Sequence, residues 1–365
     1  MSMAHSISTI LPTIIPATMR AAVLVAPGQF EVRQVPVPQL GPADVLVRVT
    51  RCGLCGTDMH IYHGTYSADR LPLIPGHEFS GHIAAMGAEV RGLALGQGVT
   101  ADINVGCGAC FYCRKNEIMN CPAMVQIGIH VDGGLAEYVR VPASHIVPVA
   151  DSTPIELAAL TEPVSCIVRA VKRSRLRLGE SVLILGAGPI GNLHLQVARQ
   201  AGAAPIIVSD PNPERAAWAR ASGADYVVSD PAMLAGVVAQ ATQGRGADLV
   251  IESVGLTSLY EQAFDLVRPG GRVLAFGLSA PDAHAHYLPF KVVLKELGLQ
   301  GSVAGMGDDM HEAMTLIAHD RLALDAFVAT VYPLDRIGEA MEAFIGDKRI
   351  NKIQIAIGDV PEETA

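Results

Sequence analysis

Four of the seven cysteines fall in one stretch, Cys107-x2-Cys110-x2-Cys113-x7-Cys121. Thiolates so spaced can close on one ion as a tetrahedral zinc site with every coordination position filled. Closure of that kind draws residues 104–122 into a compact lobe, because the metal must hold all four ligands at once. A filled site leaves no position for a substrate, so the lobe reads as structural. The tight cluster and the odd cysteine count suit metal ligation in a reducing cytoplasm better than a disulfide framework.

A catalytic zinc differs in keeping three protein ligands and one open position. Upstream of the lobe, Cys55-Gly56-Thr57-Asp58-Met59-His60 offers a thiolate on a glycine-flanked loop, and Gly76-His77-Glu78 offers an imidazole. Cys55 and His77 are therefore candidate ligands of a second, open site. Spacing alone does not fix the third. Glu162 and Cys166, four residues apart, fall on one helical face and compete, while Cys52 competes with Cys55 as a CxxC pair. Each alone would read as a packed cysteine, a satisfied histidine or a surface acid. Their company with the closed cluster is what points to metal.

Downstream, the apolar run Ser181–Leu185 leads into Gly186-Ala187-Gly188-Pro189-Ile190-Gly191, and a helix-compatible segment follows to Ala201. A G-x-G-x-x-G between strand and helix is the context a dinucleotide loop requires. Gly186 permits the tight turn, Gly188 lets a pyrophosphate approach, and Gly191 lets helix pack on strand. Pro189 and Ile190 open the helix whose N–H groups face the phosphates. Asp210, 24 residues beyond Gly186, follows the next apolar strand. Its carboxylate suits the adenosine ribose hydroxyls and repels a 2′-phosphate, which favours NAD over NADP. Arg215, five residues on, could stack on adenine or accommodate a phosphate.

The surrounding pattern fits two domains. Residues 19–149 read as short strands broken by Gly and Pro, with Val45–Val49 alternating as a half-buried strand. From Pro154 to Arg175 the period becomes helical despite Pro163. Beyond it, apolar runs at Ile206–Val208, Tyr226–Val228, Leu249–Ile251 and Val273–Phe276 alternate with helix-compatible segments, the pattern of a doubly wound parallel sheet. A further helix is expected near Met310–Ala323. Residues 1–18 hold an apolar stretch, but no Lys or Arg precedes it and two prolines interrupt it. That matches neither a secretory signal nor a span of about 20 apolar residues, so it reads as an extension ahead of a fold beginning near Met19. Half of the 365 residues are hydrophobic, 17% are charged and the formal charge is −9. A compact acidic protein with no basic excess is a poor partner for nucleic acid.

Together these segments resemble the zinc-dependent medium-chain alcohol dehydrogenases from Met19 onward. The match rests on Cys-Gly-Thr-Asp-x-His at 55–60, Pro75-Gly76-His77-Glu78, the four-cysteine lobe, Glu162-Pro163, the glycine loop and Leu266-Val267-Arg268-Pro269-Gly270-Gly271. The resemblance implies an α/β protein: a GroES-like β-rich catalytic domain over 19–164 and 308–365, with a Rossmann doubly wound domain over 165–307 inserted. It implies two zinc ions per chain, with Cys107, Cys110, Cys113 and Cys121 on the structural one. Cys55, His77 and Glu162 would serve the catalytic one, Glu162 as ligand or near neighbour. Cys52 becomes packing, Cys166 is demoted, and Glu78 stands behind the ligands or exchanges onto the metal. It also implies a small-molecule alcohol or ketone as partner, a homodimer or homotetramer, and no membrane.

The expected reaction is reversible oxidation of an alcohol, with zinc as Lewis acid and NAD as hydride acceptor. Thr57 and His60 match the family's proton relay, which runs from hydroxyl through cofactor ribose to histidine. The segment His60-Ile61-Tyr62-His63-Gly64, together with Glu162, is similar to the polyol and threonine branches. Gly301–Gly307 lacks the Arg that polyol enzymes often carry there. A secondary alcohol of the sugar-alcohol type is the favoured substrate, a 2-amino-3-hydroxy acid the runner-up. The metal-ligand residues oppose a zinc-free reductase of the same superfamily, and the glycine loop opposes a zinc-ribbon interaction protein.

Overall fold

The computed structural model describes residues 14–347 and 349–358. Residues 1–13 of the expected extension lie outside that range. The chain forms two compact units. One takes in the described residues up to Ala159, Val331–Glu342 and those from Gln354; the other takes in Leu160–Thr330 and Ala343–Ile353.

The first unit is built on antiparallel strands: β1 (Thr18–Ala26), β2 (Gln29–Pro36), β3 (Asp44–Gly53), β4 (Glu78–Met86), β5 (Gly98–Ala101), β6 (Asn104–Val105), β7 (Val125–Gln126), β8 (Tyr138–Pro142) and β9 (Ile146–Pro148). Val45, Leu46, Val47 and Val49 of β3 are buried, so over Val45–Val47 both faces of the strand are covered, not one face as its alternation suggests; β4 pairs with it along its length and β8 over its first half. The short pair β6 and β7 brackets the four-cysteine segment and closes its base through Asn104 opposite Gln126.

The second unit carries β10 (Val182–Leu185), β11 (Ile206–Ser209), β12 (Tyr226–Val228), β13 (Ala247–Glu252), β14 (Val267–Ala275) and β15 (Gly298–Gly301) in a parallel sheet ordered β12-β11-β10-β13-β14-β15. Helices occupy the crossovers, including Pro189–Gln200, Pro213–Ala221 and Thr257–Leu266. Alternate residues of β10 feed opposite layers: Leu183 and Leu185 pack with Ile207, Val250 and Phe264, whereas Val182 and Ile184 pack with Ile206, Leu195 and Ala198. Burial on both faces is why these strands read as unbroken apolar runs. The strand order reverses between β10 and β13, the position where open sheets of this kind bind nucleotides. The expected helix near Met310–Ala323 spans Asp308–Ala318, and the strand β15 falls where the sequence carries no β pattern.

Two late strands return to the first unit, β16 (Val331–Pro333) and β17 (Gln354–Ala356). There β17 pairs with the end of β3, Ile355 opposite Cys52. Its sheet runs β16-β17-β3-β4-β5-β9 with β8 also on β3. Among the described residues no helix is long and apolar enough to cross a membrane.

Candidate functional site

Cys55 is the N-cap of a short helix, Gly56–Tyr62, and the start of that helix fixes it. Its backbone N–H donates to Asp58 Oδ2 at 2.9 Å, the return half of a capping box. His77 and Glu78 sit at the entry to β4, and both are buried. The turn before them requires glycine: at Gly76 φ is +98°, and a Cβ there would lie 2.7 Å from Cys52 Sγ and 2.9 Å from the Leu135 nitrogen. Cys52 is thus packing behind the turn, fully buried.

These elements bring Cys55 Sγ, a ring nitrogen of His77 and a carboxylate oxygen of Glu78 within 4.8 Å of one another. Soft sulfur, imidazole and carboxylate are the donor mixture of open zinc sites, so the residues fit the metal. Asp58 lies beneath them, buried, with Oδ1 3.4 Å from His77 Nδ1. Burial by itself would lower the His77 pKa, but the Asp58 carboxylate and Cys55 outweigh it and raise it well above the ordinary value. Asp58 lies inside the Cys55–His60 motif, yet spacing alone gives it no role; its placement under the imidazole appears only in three dimensions.

Thr57 Oγ1 is 3.9 Å from Cys55 Sγ. His60 follows on the same helix three residues later, on the same face, half-buried, with Nδ1 3.3 Å from Thr65 Oγ1. Glu162 and Cys166 belong to the second unit. They share a face of the helix Thr161–Ser174, Cys166 Sγ lying 3.4 Å from Glu162 Oε1.

Cys107, Cys110, Cys113 and Cys121 converge so that their sulfurs lie within 4.8 Å of one another. Backbone N–H groups of Ala109 and Cys110 pull the Cys107 thiol down to about 6. Burial and the neighbouring thiols push Cys113 up to about 12. Four thiols so close cannot all ionise without a cation between them, so this set also fits zinc. Among the described residues no cysteine is in a disulfide.

In the second unit, Gly188 ends the turn after β10 and caps the helix Pro189–Gln200. A Cβ on Gly191 would fall 1.9 Å from the Gly186 carbonyl oxygen, so only glycine allows that close packing. Beside Gly188 the space is open, the nearest atoms to a Cβ being those of the Arg215 guanidinium at 3.8 Å. An open cradle at a helix N-terminus, with a guanidinium at its rim, fits a pyrophosphate. Asp210 is buried just past β11; Oδ2 accepts from Ala187 N at 2.8 Å and Oδ1 from Asn212 N at 2.8 Å. The carboxylate is therefore locked to the glycine turn itself.

The family model for the alcohol dehydrogenase GroES-like domain matches residues 41–151, and that for zinc-binding dehydrogenases matches 189–319. The D-altritol 5-dehydrogenase of Agrobacterium fabrum is 32% identical over 93% of this chain and 99% of its own length. An L-threonine 3-dehydrogenase of Pyrococcus horikoshii is 34% identical over 86% of this chain and 91% of its own. A Sinorhizobium meliloti chain solved bound to NADP is 32% identical, superposes with a TM-score of 0.88, and is covered fully by 93% of this chain. With its donor set, its nucleotide turn and relatives matched along nearly their whole length, the chain belongs to the zinc-dependent medium-chain alcohol dehydrogenases, oxidoreductases acting on CH–OH groups with zinc and a nicotinamide cofactor.

Proposed function

We propose that the protein interconverts a sugar alcohol, or a similar secondary alcohol, and its ketone with NAD. The observation that carries this reading is the convergence of Cys55, His77 and Glu78 in a chain that also holds the glycine turn with Asp210 locked to it. The altritol relative supports a polyol. Cys55 and His77 hold the catalytic zinc with Glu78, Glu162 keeps the ligand or neighbour role that the resemblance gives it, and the lobe cysteines hold a second ion. When bound, zinc supplies Lewis acidity toward the alcohol oxygen and the nicotinamide accepts hydride.

The chain's own residues supply the rest. Thr57 Oγ1 receives the hydroxyl proton, and the His60 imidazole, half-exposed one helical turn away, passes it to water. Gly186, Gly188, Pro189, Ile190 and Gly191 seat the pyrophosphate; Asp210 accepts from ribose hydroxyls and disfavours a 2′-phosphate, while Arg215, at the rim of the glycine cradle, would stack on adenine or meet a phosphate. Cys55, Thr57, His60, His77 and Glu78 lie in the first unit, and Glu162 and the glycine turn in the second. Thiolate ligation suits a reducing, cytoplasmic setting, and the exposed edge of β15 suits a homo-oligomer.

The test is NADH formation by zinc-loaded protein across sugar alcohols, L-threonine and simple secondary alcohols. Turnover of a vicinal polyol, lost on chelation, is the expected result. Preference for L-threonine would move the assignment to the threonine branch, and preference for NADP would overturn the role given to Asp210.

A further inference from the structure

Glu252 ends β13 fully buried, in a parallel sheet whose other buried side chains are apolar. Its carboxylate folds back on its own loop: Oε1 accepts from Val254 N at 3.0 Å and Gly255 N at 2.9 Å, and Oε2 from Gly255 N at 3.0 Å. The Tyr260 hydroxyl lies against the same carboxylate and donates to the Gly277 carbonyl in the loop after β14. Ser279 Oγ closes the ring, donating to Gly255 O at 2.7 Å. Burial pushes the Glu252 carboxyl up, against the pull of the N–H donors around it. A buried acid that organises two loops at one end of a sheet has a cost, and a positional role gives it a reason.

The loop that Glu252 holds reaches across the point where strand order reverses. Ser253 Oγ donates to Leu185 O at 2.7 Å, and Val254 Cγ2 lies 2.4 Å from where a Cβ on Gly186 would stand. Val254 and Leu256 are nonetheless 47% and 54% exposed, as is Leu278 of the neighbouring loop at 79%. Asp210 marks the β11 side of β10 as the adenosine half of the site. β13 lies on the other side of β10, so a dinucleotide crossing the turn meets this pinned apolar loop with its other nucleoside.

We propose that Glu252 is a positioning residue for the nicotinamide half of the cofactor, acting through the loop Ser253–Leu256 that it and Tyr260 hold in place. The inference rests on the dehydrogenase reading above. It separates from a general structural role because the adenosine half is gripped elsewhere, by Asp210 and the glycine turn.

The experiment is calorimetric titration of the zinc-loaded, full-length protein with NADH and, separately, with AMP. Glu252→Gln keeps the shape but replaces one acceptor oxygen by a donor facing N–H groups. It is expected to weaken NADH about tenfold while leaving AMP within about twofold. Tyr260→Phe, a milder change that keeps the carboxylate, is expected to weaken NADH about threefold, again sparing AMP, and it decides the matter if the glutamine variant does not fold. Equal weakening of NADH and AMP, or folded variants that bind NADH as wild type does, would overturn the proposal. Wild type binding neither ligand would instead overturn the dehydrogenase reading, and this inference with it.

Discussion

Asp58 decides how His77 presents itself. A carboxylate 3.4 Å from Nδ1 favours the tautomer with the proton on that nitrogen, which leaves the Nε2 lone pair for a metal. Asp58→Asn keeps an oxygen for the Cys55 N–H but removes the charge. Zinc affinity of the more weakly held ion should fall about 10–100-fold in chelator competition, with the far-ultraviolet dichroism unchanged; undiminished affinity would exclude the orienting role. His194 shows the opposite case, a buried imidazole with nothing to pair with. Neither ring nitrogen has a hydrogen-bond partner among the described residues, and the ring meets Phe276 edge-on at 4.6 Å. Burial pushes its pKa down to about 3. The folded protein thus keeps His194 neutral while the unfolded chain takes a proton below pH about 6.5. Stability from this residue is intact above that pH and is lost as pH falls toward 3, at about 1.4 kcal/mol per pH unit. Urea unfolding of wild type and His194→Leu from pH 7 to 5 should show the variant gaining on wild type by that slope, and parallel curves would show that His194 does not contribute.

At the scale of elements, legibility followed burial. The strands β10, β11 and β13 are readable in the sequence because both faces are covered, so every side chain must be apolar and the run is unbroken. The glycine turn is readable because Gly191 permits no Cβ at all. The strand β15 is not. Gly298-Leu299-Gln300-Gly301 has two glycines and no β-branched residue, and it is a strand only because β14 pairs with it, from Arg272 opposite Gly298 to Ala275 opposite Gly301. Polar residues that act through backbone groups escape for a related reason. In the sequence Glu252 looks like the polar end of an apolar run; the ring of N–H donors that gives it a function comes from the turn that follows and from Tyr260 eight residues on. The candidate metal donors are legible as types and spacings. The oxygen that Glu78 brings into the Cys55–His77 cluster is legible only through the family resemblance, which lets Glu78 exchange onto the metal; spacing alone does not give it.

At the scale of the whole molecule, β15 leaves a problem that the described residues do not solve. It is the last strand of its sheet, so one row of its backbone N–H and C=O groups has no strand beside it among the described residues. Exposed edges are usually blunted by charge, proline or a bulge, and β15 itself has none of these. In the chain just before, within and just after it, Phe290, Val293, Leu294, Leu299 and Val303 are all more than half exposed, apolar surface of the kind that marks an association site. A second copy related by a two-fold axis would lay its own β15 antiparallel to this one, satisfy both edges and cover both apolar groups in an isologous contact. The predicted species is therefore a dimer at micromolar concentration. Leu299→Lys places one charge in the contact per chain and two per dimer; at about 1.5–3 kcal/mol for each buried leucine it should weaken association by roughly 10²–10⁴-fold. Light scattering coupled to size exclusion reads this directly. A folded monomer in the variant beside a dimer in wild type is the expected pair. A variant that stays dimeric would place the interface elsewhere and leave the apolar edge to another partner.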